Sequence, residues 1–208
     1  MEADIRIPKV GKTAWHWVLE ATMIIVSVGL AFGVAEFREA RANHELATRV
    51  LRSLQEEVEH NLATLEQWSA FNAAFAKALA AADTSNAAKT GLDIYVAVRP
   101  PLPAGASLDV PMVRRGAWDA ALSTGALRLI DYDVVAGLSD IYQMQDGYGG
   151  SVTQLVTGMH AAGVFDPANR IVTIRQATQW WNEIGFLQKL QIGLYRKYLP
   201  AIRGAAGH

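Results

Sequence analysis

Residues 15–37 read WHWVLEATMIIVSVGLAFGVAEF, and how this stretch is read decides the fold. From Trp15 to Ala35 there are 21 residues, of which only Glu20 is formally charged. At about 1.5 Å per residue such a run matches, as a helix, a hydrocarbon core of about 30 Å. A secretory h-region is shorter, about 7–15 residues, and ends in a small-x-small cleavage site. Ala31-Phe-Gly33 has that form, so a cleaved signal stays open as the alternative, while the length of the run favours an anchor. An uncleaved anchor is predicted.

The edges agree with this reading. Trp15 and Trp17 mark one end and Phe37-Arg38 the other, where indoles and cations favour the headgroup zone. Arg6, Lys9 and Lys12 precede the span, and Arg38, Arg41 and Arg49 follow it, so the basic bias is nearly balanced. A short tail ahead of a long C-terminal part resembles a signal-anchor. The expected topology is therefore single-pass in a bacterial inner membrane, with the N-terminus cytoplasmic and the C-terminal domain periplasmic.

Within the span, Glu20 lies about one and a half turns from Trp15, with His16 one turn before it. Intramembrane carboxylates are costly and often functional. Three roles are open: snorkelling with local pairing to His16, contact with a partner subunit, and proton or ion transfer. The first ranks ahead because Glu20 is shallow. The last would need ionisable groups deeper in the span, and there are none. Gly29 and Gly33 form a small-xxx-small step, and Ser27, Ala31 and Ala35 form a second one, both suited to close helix approach in lipid.

The chain has 208 residues, enough for this anchor and one ordinary domain. Its net charge of −1 gives no field that would favour nucleic acid, and none is expected as a partner. The absence of cysteine removes disulfides, thiol nucleophiles and Cys-ligated metals.

Beyond Gly33 no Gly or Pro occurs until Gly91. Leu51, Leu54, Val58, Leu62, Leu65, Trp68, Phe71, Phe75 and Leu79 recur in steps of three and four, the mark of an amphipathic helix. A stalk helix over 38–85 is predicted, with a bend or a break at Ala42-Asn43-His44. A Pro-rich connection follows at 86–112, with a short strand predicted at Ile94–Val98. Helical signals return over 113–200. Val113–Leu122 forms one helix. Asp131 caps a second, which Gly147, Gly149 and Gly150 are expected to break. A third runs from Pro167 to Leu199 and is stopped by Pro200. Residues 1–14 and 201–208 are read as tails. The predicted fold class is mainly α: one transmembrane helix continuing into a stalk and a small helical bundle.

Signals for chemistry are sparse. Glu57-Val-Glu-His60 has the Glu-x-x-His spacing of di-iron bundles, but no second copy accompanies it, and a solvated helix face is the better reading. Ser123 and Ser139 lack a nucleophile elbow. Arg114 and Arg115 beside Trp118 form a candidate anion or partner contact. Trp180 and Trp181 cannot both face inward on a helix, so the outer one is a candidate partner contact. No catalytic set, metal site or cofactor is predicted.

Two stretches carry a resemblance. The first is Trp17-Val-Leu-Glu20 with the Gly29-containing span and Glu36-Phe-Arg-Glu-Ala-Arg41. The second is Ala117–Asp131 with Leu138-Ser-Asp-Ile-Tyr142. Together they resemble the hallmarks of an uncharacterised bacterial family of small single-span inner-membrane proteins, over about two-thirds of the chain. Thr124 stands where the family's block has serine before Gly125. The resemblance implies a membrane anchor and a helical extracytoplasmic domain. It implies no catalytic residues, and it makes Glu20 a recurring intramembrane carboxylate. The expected function is a non-catalytic accessory or scaffold subunit that contacts other membrane proteins and lipid. The host assembly could be respiratory or photosynthetic, and self-association through the transmembrane or stalk helix is a further expectation. The alternative is an extracytoplasmic ligand-binding or sensing domain.

Overall fold

The computed structural model describes residues 12–106 and 110–207, with side chains from residue 15 onward. Arg6 and Lys9 of the predicted tail, residues 107–109 of the predicted connection, and His208 lie outside the described residues. Five α-helices follow in order: α1 Lys12–Ala80, α2 Gly91–Val98, α3 Gly116–Ser123, α4 Tyr132–Met159 and α5 Arg170–Ala206. Short 3-10 turns lie at Ala126–Leu129, Ala162–Phe165 and Pro167–Asn169. The fold is mainly α, with no strand among the described residues. The chain divides into two compact units, residues 1–46 and 47–208.

In the first unit, α1 turns all of Trp15 to Phe37 to the outside. This apolar stretch is long enough to cross a membrane by length and composition. The helix is unbroken through Ala42-Asn43-His44, so the predicted break is absent. The local residues are compatible helix formers, and neither Gly nor Pro interrupts them.

The second unit buries the predicted stripe of α1. Leu54, Val58, Leu65 and Phe75 are fully enclosed. Tyr142, Leu138 and Ile141 from α4, and Trp181, Ile184 and Tyr195 from α5, complete the core. An aromatic cluster ties α1 to α5, with Phe71 and Phe75 at 5.8 and 4.9 Å from Trp181 between ring centroids.

Four local expectations are corrected here. Ile94–Val98 is not a strand but the body of α2. Thr90 Oγ1 accepts from the Asp93 amide at 3.1 Å, and Asp93 Oδ2 accepts from the Thr90 amide at 2.9 Å. This reciprocal capping box outweighs the β-branched run, and burial of Ile94 and Tyr95 fixes the helix in place.

The second correction is at Val113–Leu122, where the helix begins only at Gly116, and the main chain of Arg114 just before it is bonded by side chains of α1 and α4. In α4, Asp131 does cap the helix as predicted, but Gly147, Gly149 and Gly150 do not break it. Each internal glycine costs about 1 kcal/mol against alanine, and burial of Gln145, Tyr148, Leu155 and Met159 along one face offsets this.

Finally, α5 runs through Gly185, Gly193 and Pro200 to Ala206. Pro200 removes one backbone donor, yet Leu199, Ile202 and Ala206 continue the buried stripe past it, so no tail begins at 201.

Candidate functional site

Two sets of residues bear on function, one in each unit. In the first unit the geometry is that of a single helix at about 100° per residue. Measured around the axis from Glu20, His16 and Ser27 lie within about 40° and Ala31 within about 20°. Gly29 is about 180° away and Gly33 about 140° away. The carboxylate thus shares its face with Ser27 and Ala31, and the glycines occupy the opposite one.

His16, Glu20 and Ser27 line one shallow surface with Leu19 and Met23. Among the described residues no ion pair joins His16 to Glu20. The hydroxyls of the span are satisfied within the helix: Ser27 Oγ donates to the Met23 carbonyl and Thr22 Oγ1 to the Val18 carbonyl, each at 2.8 Å. A Cβ placed on Gly29 or Gly33 would meet nothing within 4 Å among the described residues.

In the second unit, Arg114, Arg115 and Trp118 come together around a polar cluster that sequence reasoning missed. Asn61, fully buried on α1, donates to the Arg114 carbonyl and accepts from the Arg114 amide, both at 2.7 Å. Gln145 on α4 adds a donor to the same carbonyl at 2.9 Å and accepts from Tyr195 Oη at 3.1 Å. These bonds hold the backbone of Arg114.

Glu57 is the centre of the arrangement. Its Oε2 accepts from the Ala117 amide at 2.8 Å, and its Oε1 from Tyr142 Oη at 2.6 Å and the Trp118 amide at 3.3 Å. A carboxylate at the start of α3 satisfies amides that have no partner within the helix and complements the positive end of the helix dipole. The helix has no capping side chain of its own, and Glu57 supplies one from another helix. The reading of Glu57 as part of a solvated face is therefore overturned: it is buried, while His60 at the same spacing is exposed. No group of three or more His, Asp or Glu gathers among the described residues.

Trp118 is buried and stacked on Tyr142 at 4.7 Å, which corrects its place as a ligand contact. The Arg115 guanidinium bonds Asp119 at 2.9 Å and pairs with Asp146. The bond to Asp119 holds its pKa above the ordinary value, with the charge of Asp146 adding to it. Burial and the Glu57 bond together push the Tyr142 phenol up. Arg114 leaves only its side chain exposed.

Of the tryptophan pair, Trp181 is fully enclosed and donates from Nε1 to Tyr95 Oη at 3.2 Å. Trp180 is half-buried, and its ring lies so close to Gly158 that a side chain there would collide with it. Trp181 is thus removed as a partner contact, while Trp180, the outer of the two, keeps part of its surface exposed. The missed signal was the buried polar set itself: Glu57 and Asn61 lie one turn apart beside the apolar stripe of α1. Comparison with family models, curated proteins and solved structures finds nothing that matches this chain.

Proposed function

We propose that this chain is a membrane-anchored accessory or scaffold subunit of a bacterial inner-membrane assembly, with its helical unit on the periplasmic side. The observation that carries the reading is the two-faced span. One side carries Glu20 with Ser27 and Ala31, and the opposite side carries Gly29 and Gly33, with no neighbour within 4 Å among the described residues. A carboxylate facing lipid is unfavourable, by up to about 2.5–3.5 kcal/mol at mid-span on insertion scales. Contact with a neighbouring polar group relieves that cost. Glycines on the other side allow a second helix to approach closely. A helix with both features is suited to sit between two others, whether copies of itself or subunits of an energy-transducing complex.

The sensing alternative rested on Arg114, Arg115 and Trp118. Their engagement with Asn61, Asp119, Asp146 and Tyr142 leaves it without a specific observation in its favour.

Gly29→Leu and Gly33→Leu test the proposal. Each is expected to reduce co-purification with membrane partners by about tenfold, a loss of about 1.4 kcal/mol. Unchanged stoichiometry with both substitutions present would sink it. Glu20→Gln separates the faces: it should weaken contact on the carboxylate side while leaving any glycine-dependent partner bound.

A further inference from the structure

In the unit of residues 47–208, α1 and α5 enclose an open cavity of about 400 Å³. On the α1 side it is lined by Ser69, Ala73, Ala76 and Ala80, which share one helix face by their spacing of four, three and four. On the α5 side lies Gly185, where an added Cβ would meet nothing within 4 Å. Small residues on two facing helices leave a trough where larger ones would have filled the gap. A second opening shares Ser69 and Lys189 with the first and reaches Gly193, so the trough continues along both helices. From residue 69 to residue 80 it runs about 16 Å, about three helical turns.

Its rim and wall have unused polar capacity. Lys77 and Lys189 both line the cavity, and neither makes an ion pair among the described residues. The nearby carboxylate of Glu66 is already taken by Arg196 at 2.7 Å. In the wall, Asn72 is 2% exposed and donates to Gln188 Oε1 at 2.6 Å, but its own Oδ1 has no donor. A buried acceptor without a donor is a cost the fold carries. Beside it, Phe186 stands largely in solvent at the lip.

We infer that this trough docks an acidic helical segment of a partner protein, with its carboxylates on Lys77 and Lys189 and its small apolar side chains on the alanine floor. The helix-in-groove mode fits the length and the small-residue lining. The charge decides against a second copy of this chain: symmetric docking would bring two pairs of unneutralised lysines together. The inference goes beyond the anchor's role and holds whichever subunits the membrane helix meets.

The test pans a display library of random peptides of about 16 residues against the full chain in detergent micelles at low salt. Recovered peptides are expected to be enriched in Asp and Glu at helical spacing. Their affinity should fall about tenfold or more in about 0.5 M salt, because exposed charge pairs are screened. It should fall at least as far in K77E/K189E. Gly185→Leu, which fills the trough where there is free space, should block binding while circular dichroism stays unchanged. Peptides recovered without acidic enrichment would overturn the proposal, as would peptides that bind both variants as tightly as the parent. Failure to recover acidic peptides, together with binding of dihexanoylphosphatidylglycerol that needs Lys77 and Lys189, would assign the lysines to lipid and also overturn it.

Discussion

Along α1, residues 15–37 turn Trp15, Ile25 and Phe32 outward at 71%, 71% and 72% exposure, while residues 47–79 hold Leu54, Val58, Leu65 and Phe75 at 0%. Both stretches are helical and both are rich in large apolar side chains. The first is apolar all round, and the second confines its apolar residues to one face. In the first, the information about neighbours therefore resides in the few residues that are not large and apolar: Glu20, Ser27, Gly29 and Gly33. In the second, hydrophobic packing supplies the bulk of the stability, and buried polar residues decide which backbone docks where. Glu57 and Asn61 do this by binding main-chain groups of residues 114–118, which apolar packing alone would leave free to slide.

The contrast is open to attack at its strongest point first. Glu57→Ala strands two backbone amides and the Tyr142 hydroxyl. At about 1–3 kcal/mol per orphaned group, a loss of at least about 3 kcal/mol is expected in denaturant melts of the full chain in micelles. Glu57→Gln, which keeps one acceptor, should recover part of it. An unaffected midpoint for Glu57→Ala would mean that the polar cluster is incidental. Gly29→Leu should leave the same melt unmoved, since a Cβ at Gly29 meets no atom of the described residues within 4 Å.

Alkali is the next lever. Burial pushes the Tyr195 phenol up to about 12, and burial also raises Tyr142 and Tyr148. Below pH 10 all three are protonated in both folded and unfolded chains, and they contribute no pH dependence. Above about pH 10 the unfolded chain releases protons that the folded chain retains, so stability falls as pH rises. Each such tyrosine removes about 1.4 kcal/mol per pH unit until its folded pKa is reached. Melting at pH 9, 10, 11 and 12 should show a steepening decline, which Tyr195→Phe makes shallower. A flat profile would contradict the burial of these phenols.

The smallest effect probes a local feature. Thr90→Ala removes half of the capping box of α2 and should cost about 1 kcal/mol, read as a small shift of the same transition. Thr90→Ser should restore most of it. A full-sized loss with serine would move the explanation from the cap to packing of the threonine methyl.

Much of this was legible beforehand because it depends on periodicity. The apolar span, the stripe from Leu51 to Leu79 and the Asp131 cap are all local patterns, and all three are present. What was misread depends on distant partners. Gly147, Gly149 and Gly150 look like a break until the buried face on either side is known to be continuous. Glu57 looks solvated until α3 and α4 are brought against it, and Trp118 looks available until Tyr142 stacks on it. Ile94–Val98 is a different case: Thr90 and Asp93 spell a capping box in the sequence itself, and the β-branched residues suggest a strand only where that cap is left out of account.

The bond between Glu57 and the start of α3 also has a consequence for the order of assembly. An eight-residue helix is far below the length that holds together alone in water. Its amides find their acceptor 60 and 61 residues earlier in the chain, and that carboxylate's third donor lies 85 residues beyond it. During synthesis the glutamate therefore emerges first, and its set of donors is complete only once residue 142 has been made. α3 is then a late-setting element, and this corner of the unit cannot close fully until residue 142 is in place.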